Sequence, residues 1–299
     1  MHIHNSRIDS HVHFFTVADL QRVSQELPYT LPQPHPLSGY LDQLIDSGIT
    51  PALVNNVHLS ILPDSENIFT SFSELAALQA RNPARYGAIR LVGTIVADPE
   101  YANAQRLAHP QVVGIRIVLH DAKPESVDPQ AYSTLPWQAL YQRLRQDQHV
   151  HIYAQEAETN LRVLRQLPEH LRVVIDHLGS CRSERGAQEP AYGELLAEAK
   201  RRGNVWFKGP GYRTAIDAEA VVPFVARIAK DVGVERLMLE ATDAPHVGAD
   251  HSGRRYAQHF CLKSAFEFVE LLAELAHQPA AASAPMLLRS AAKTLFPAL

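Results

Sequence analysis

The sequence predicts a single (β/α)8 barrel of the TIM type, on three observations. Its 299 residues exceed the roughly 250 that such barrels commonly use. Short apolar, β-rich runs alternate with helical stretches through the chain, with no composition shift or Gly/Ser linker to divide it. No G-x-G-x-x-G turn follows the first run, which disfavours the doubly wound open sheet, the structural alternative. The expectation is one domain over residues 1–299.

Taken in order, the predicted strands cover 8–15, 49–56, 86–96, 112–119, 150–155, 171–177, 205–208 and 236–243. Helical composition fills 39–47, 68–82, 136–146, 156–167, 192–202 and 218–232, as right-handed crossovers between parallel strands require. Residues 16–37 carry Pro28, Pro32, Pro34 and Pro36 without clear periodicity, so a long loop at the barrel mouth is expected there. Beyond the last strand, 256–277 and 285–296 are leucine-rich with charges at helical spacing. They are expected to form closing helices in a segment of about 256–299.

Hydrophobic residues at 46% and charged residues at 20% indicate a folded chain and exclude a disordered or fibrous one. The 28 basic and 32 acidic residues give a formal charge of −4 without long runs of one sign. Nucleic acid is therefore excluded as a partner and a small molecule favoured; a homo-oligomer is compatible with the composition. No apolar stretch of about 18 residues offers a membrane span. The segment Met1-His2-Ile3-His4-Asn5-Ser6-Arg7 lacks a secretory core, so a cytoplasmic location is expected. Cys181 and Cys261 stand far apart outside any C-x-x-C pattern, which argues against a disulfide framework or thiolate zinc site. Sixteen histidines raise the prospect of metal or proton chemistry.

Active sites of such barrels lie at the carboxyl ends of the strands. The first strand ends Asp9-Ser10-His11-Val12-His13; alternation puts His11 and His13 on one face, as a metal grip or as hydrogen-bonded core histidines. The sixth ends Asp176-His177-Leu178-Gly179 and the eighth Glu240-Ala241-Thr242-Asp243-Ala244-Pro245-His246. Three polar ends thus converge on one mouth. Arg116 interrupts the apolar fourth strand and needs an anionic partner, since burying a lone guanidinium is costly. A substrate carboxylate held bidentately would serve, as would an internal ion pair with an acid such as Asp176. Cys181 has no adjacent base to activate it. Gly209-Pro210-Gly211 lacks the lysine and hydroxyl of a phosphate loop. His2, His4, His35, His109, His251 and His259 are expected in loops or at the surface.

Asp-x-His-x-His, then Asp-His-Leu-Gly, then Thr-Asp-x-Pro-His, in this order and spacing, resemble the amidohydrolase superfamily. Within it the likeness is to amidohydrolase family 2 and its lactonases, those of 2-pyrone-4,6-dicarboxylate and of carbohydrates. The resemblance runs from Ile8 to the helix around Leu287 to Phe296. It implies that His11, His13, His177 and Asp243 are the catalytic group, with Asp243 taking a proton from water. It also aligns Tyr29 and Arg213 with substrate-contacting residues and places Tyr153 and His246 beside them.

In the wider superfamily a fifth-strand histidine completes a metal centre. Here that place falls to Tyr153, with His151 two residues earlier, and the fourth strand supplies no bridging Lys or Glu. Zinc usually takes three or four protein ligands, so a binuclear centre is not expected. The lactonases sharing the tyrosine hydrolyse without metal, which implies that no cofactor is required. The alternative is one divalent ion, zinc, at His11, His13, His177 and Asp243, with His151 as a reserve ligand. The implied activity is opening of a carboxylated lactone. Its rivals are a mononuclear metal-dependent decarboxylase or hydrolase, and a non-catalytic barrel that binds a small acid. Ala244 and Glu240 stand where the family usually writes Trp and Gly, which implies a distinct pocket.

Overall fold

The computed structural model describes residues 6–23, 33–119, 122–209, 213–215 and 218–245. The chain runs β1 (Ser6–Val12), α1 (Val17–Leu20), α2 (Leu37–Asp46), β2 (Thr50–Val57), α3 (Glu66–Arg81), α4 (Pro83–Tyr86), β3 (Arg90–Val96) and α5 (Ala104–Leu107). It continues through β4 (Val112–Leu119), α6 (Leu135–Arg143), β5 (His149–Ala154), α7 (Ala157–Leu164), β6 (Arg172–Ile175), α8 (Pro190–Arg202), β7 (Val205–Lys208), α9 (Ala218–Ile228) and β8 (Leu237–Met238). Each strand pairs in parallel with the next, in the order β1 to β8.

The seam between β8 and β1 is closed without a regular ladder. Ser10 N donates to Glu240 O (2.9 Å), Asp243 N to His11 O (2.7 Å) and His13 N to Ala244 O (2.8 Å). The fold is thus the (β/α)8 barrel that the alternation of elements predicts. The eighth strand is shorter than the expected 236–243, because beyond Met238 the chain leaves β7 and follows the irregular edge of β1. The loop after β1 carries α1, whose Thr16 and Asp19 form a reciprocal capping box. Tyr29, His246 and the expected closing helices lie outside the described residues. No described helix is long and apolar enough to cross a membrane.

Two extra residues set which side chains enter the barrel. On β1, Asp9 pairs with Val54 but Val12 with Asn56, so three steps on one strand match two on the other. Strict alternation would put Ile8 and His11 on opposite faces; the bulge brings both inside. Ile8 joins Leu53, Val174, Trp206 and Met238 in an apolar floor, while the imidazoles lie above it. On β4, Gly93 pairs with Val112 but Thr94 with Gly114, and this second irregularity turns Arg116 inward. Outside the barrel, Tyr40, Leu41 and Leu44 of α2 and Ile68, Phe72 and Leu75 of α3 are buried in the main core.

Two glycines permit close approach. A Cβ on Gly93 would come 2.4 Å from Ile68 Cγ2 of α3, and one on Gly114 would come 2.4 Å from the His149 carbonyl oxygen of β5. The latter contact is backbone and cannot swing aside. Gly114→Ala should therefore lower the unfolding free energy by about 1–3 kcal/mol, the usual range for overpacking, measured by urea denaturation. Unchanged stability would show that β4 and β5 can separate freely at this point.

Candidate active site

The carboxyl ends of β1 and β6 and the post-β8 segment bring four of the expected residues together. His11, His13, His177 and Asp243 are all buried. His177 and Asp243 adopt φ of 47° and 49°, left-handed conformations that cost a non-glycine residue about 1 kcal/mol or more. The surrounding structure holds them there. Asp9 in β1 accepts from Thr242 N (3.0 Å), Thr242 Oγ1 (2.6 Å) and Tyr40 Oη (2.7 Å), which fixes the residue next to Asp243. Burial raises the Asp9 carboxyl to about 6 despite these bonds. Thr214 Oγ1 donates to His177 O (3.0 Å) and tethers the other strained residue.

Asp243 divides its oxygens between two environments. Oδ2 accepts from Arg213 Nε at 2.9 Å. Oδ1 lies 3.2 Å from His11 Nε2 and 3.3 Å from His13 Nε2, and these nitrogens are 3.2 Å apart. Burial alone would raise this carboxyl, but Arg213, His11 and His177 outweigh it and hold the group well below the usual carboxylate range. Arg213, expected to meet a substrate carboxylate, thus also orients Asp243.

A buried network lies beneath this group. Asp176 Oδ1 accepts from His11 Nδ1 (3.1 Å) and His151 Nε2 (2.5 Å), and Oδ2 from Arg116 Nη2 (2.6 Å). Arg116 Nη1 also donates to His58 O at 2.7 Å. Of the two partners weighed for Arg116, the structure forms the internal one. Burial raises the Asp176 carboxyl, yet His151, His11 and Arg116 together hold it well below its ordinary value. Burial lowers His151 to about 3 and His177 to about 4, so both are neutral at physiological pH. The Tyr153 ring packs edge-on to His177 with centroids 4.9 Å apart, and the Arg116 guanidinium lies 5.5 Å from the Tyr153 centroid.

Several participants are not marked as site residues by the sequence. His151 was only a reserve ligand; it joins Asp176 because alternation on β5 keeps it on the Tyr153 face. Lys208 is buried at the end of β7, where Nζ donates to Ser10 O at 2.9 Å, and burial lowers its amine to about 8. Asn55 Nδ2 donates to the same carbonyl at 3.2 Å, so two side chains pin the bulge that presents His11. A lysine closing a four-residue apolar strand was the available signal. Glu240 belongs to the seam, its Oε2 accepting from Ile8 N at 3.3 Å and its Oε1 lying 3.7 Å from Arg7 Nη1. Cys181 is buried just past β6.

The donor geometry fits one cation. An ionised carboxylate and a carbonyl can only accept, so His11 Nδ1 carries a hydrogen toward Asp176, and His13 Nδ1 carries one toward Val57 O at 2.7 Å. The two Nε2 atoms then face each other and Asp243 Oδ1, a buried atom with no hydrogen-bond donor. Ligands about 2.0–2.1 Å from one tetrahedral zinc stand roughly 3.3 Å apart, and the three atoms here are spaced at 3.2–3.3 Å. Tyr153 points to a metal-free site, yet His11, His13 and Asp243 supply this cage without a fifth-strand ligand. His177, expected among the ligands, is in neither donor group found among the described residues. The other group, His11, His151 and Asp176, is already joined by hydrogen bonds.

Residues 8–297 match the profile of the family described as amidohydrolase, its second branch. The chain belongs to amidohydrolase family 2. Its family makes it a hydrolase. A Pseudomonas putida protein assigned as a 2-pyrone-4,6-dicarboxylic acid hydrolase is 27% identical, with 99% of this chain and 98% of that one covered and a TM-score of 0.71. An Acinetobacter baumannii protein given the same assignment, solved with citric acid bound, is 19% identical over 98% and 99% of the two chains, with a TM-score of 0.71. An Agrobacterium tumefaciens protein, solved in its apo form, is 19% identical over 98% and 96% of the two chains, with a TM-score of 0.65. No curated protein matches the sequence.

Zinc titrated into the purified amidohydrolase is expected to bind at about one equivalent, and His11→Ala or His13→Ala to abolish that binding, as measured by competition with a chromogenic chelator. Zinc that binds weakly, or equally well in both variants, would contradict the cage.

Proposed function

We propose that the protein opens a carboxylated lactone, of the 2-pyrone-dicarboxylate or sugar-acid kind, by Asp243-assisted attack of water on the ester carbonyl. The observation that carries this reading is the Asp243 carboxylate, buried and ionised, with Oδ2 on Arg213 and Oδ1 facing the mouth imidazoles without a hydrogen-bond donor. A general base needs such an oxygen within hydrogen-bond reach of the attacking water. The 27% identical Pseudomonas putida protein, named for hydrolysis of 2-pyrone-4,6-dicarboxylic acid, supports the substrate class.

In the proposed reaction the proton passes from water to Asp243 Oδ1 as the water oxygen adds to the carbonyl carbon. The tetrahedral intermediate then expels the ring oxygen, which takes the proton back from Asp243, leaving a free acid and a hydroxyl or, after tautomerisation, a keto group. His177 is neutral, with an unpartnered buried Nδ1, and is assigned to polarising the carbonyl by donating a hydrogen bond, while His11 and His13, whose Nδ1 hydrogens are directed at Asp176 and Val57 O, would help only through a cation they hold. Arg213, Tyr153, Tyr29 and His246 are assigned to the substrate carboxylates, with Arg116 set deeper on Asp176. A divalent cation held by His11, His13 and Asp243 would supply Lewis-acid polarisation and a more acidic bound water. The same donors support a second reading, metal-dependent decarboxylation by a mononuclear site, which release of CO2 in place of a ring-opened acid would identify.

Acid release from a panel of carboxylated lactones tests the proposal. On any substrate found, Asp243→Asn should lower kcat by about 100-fold or more, the usual contribution of a positioned base. Near-normal turnover in that variant would remove Asp243 from the role and the reading with it.

A further inference from the structure

The carboxylate of Asp176 is buried, bonded to groups from three strands, and takes no part in the proposed reaction. A neutral imidazole can carry its hydrogen on either nitrogen, and the hydrogen bond at one nitrogen decides the state of the other. At His11, Asp176 Oδ1 faces Nδ1 at 3.1 Å while His13 Nε2 and Asp243 Oδ1 face Nε2 at 3.2 Å. Asp243 Oδ1 makes no hydrogen bond there, and of the two aligned acceptors the charged one binds the hydrogen more strongly, so the choice falls to Asp176. With the hydrogen on Nδ1, the 3.1 Å contact to Asp176 Oδ1 is a hydrogen bond. With the hydrogen on Nε2, a lone pair on Nδ1 would face that anionic oxygen inside a buried cluster, where such repulsion is poorly screened.

We propose that Asp176 is the positioning residue of this site: it fixes His11 as the Nδ1–H tautomer and so directs the Nε2 lone pair at His13 and Asp243. Arg116 and His151 hold Asp176 for this purpose. The Arg116 ion pair at 2.6 Å anchors the carboxylate, and Arg116 itself is restrained by the His58 carbonyl at 2.7 Å. His151 donates to the same oxygen as His11, so the carboxylate cannot rotate without losing two bonds. Arg116 thereby gains a role separate from substrate recognition, and His151 gains one that needs no coordination to a metal. The assignment holds whichever ester the site opens, because it concerns the hydrogen on one ring nitrogen.

The test is a long-range 15N–1H correlation spectrum of the full-length, histidine-labelled protein after chelator treatment, so that no cation can impose the tautomer. His11→Ala and His151→Phe assign the two rings. In the wild type, His11 should be protonated at Nδ1 only and His151 at Nε2 only. In the double variant Arg116→Met/Asp176→Leu, which removes both charges together so that neither is left buried alone, the His11 Nδ1–H signal should be lost in favour of Nε2–H or a mixture. A wild-type His11 protonated at Nε2 would overturn the proposal, as would an unchanged Nδ1–H signal in a folded double variant. The wild-type spectrum decides by itself if that variant does not fold. Absence of lactone hydrolysis alters neither spectrum, so failure of the proposed activity is distinguishable from failure of this assignment.

Discussion

The site depends on one buried ion pair. Asp176 and Arg116 meet at 2.6 Å with side chains 0% and 4% exposed, and each would be costly inside the barrel without the other. Around the pair the interior is built in layers. Below it lies the apolar floor of Ile8, Leu53, Val174, Trp206 and Met238. Above it stand the imidazoles and Asp243. The pair links strands β4 and β6, and the His11 and His151 bonds extend it to β1 and β5. Four strands are thereby tied through one carboxylate, and the groups assigned to chemistry rest on it.

A second constraint is backbone strain, stored at residues assigned to the proposed chemistry. His177, Leu178 and Asp243 all have positive φ. Their conformations persist because neighbouring groups determine them, through the Asp9 clamp on Thr242 and the Thr214 bond to His177 O. Such residues recur at functional sites because the fold can hold a side chain where an unstrained strand would not carry it. Lys208 and Asn55 act in the same way on the β1 bulge by binding the Ser10 carbonyl.

Much of this was legible in the sequence, for physical reasons that can be named. The eight strands were marked by runs such as Val112 to Leu119 and Val205 to Lys208, whose β-branched and aromatic residues coincide with the observed strands. His11, His13, His177 and Asp243 were visible because polar residues ending apolar strands have few structural explanations. The eighth strand ends earlier than the apolar start Leu237-Met238-Leu239 suggests, because the mixed stretch 240–243 follows the irregular edge of β1. The bulges were not visible: nothing in Asp9-Ser10-His11 announces an extra residue, and the placing of Ile8 on the floor beneath His11 depends on it. Sequence does not choose between a substrate and Asp176 as the partner of Arg116, because it gives no distance across the barrel. Lys208 gives little signal in the sequence, because a terminal lysine on a strand is more often solvated.

The claim that compensated charge organises the interior is tested most directly by a double-mutant cycle on unfolding free energy, using Arg116→Met, Asp176→Leu and the two combined. Each single change should cost about 3–5 kcal/mol, because it leaves one charge buried alone, while the combined change should cost no more than either single. Additivity of the two single effects within about 0.5 kcal/mol would mean that the residues act independently, and would contradict the account.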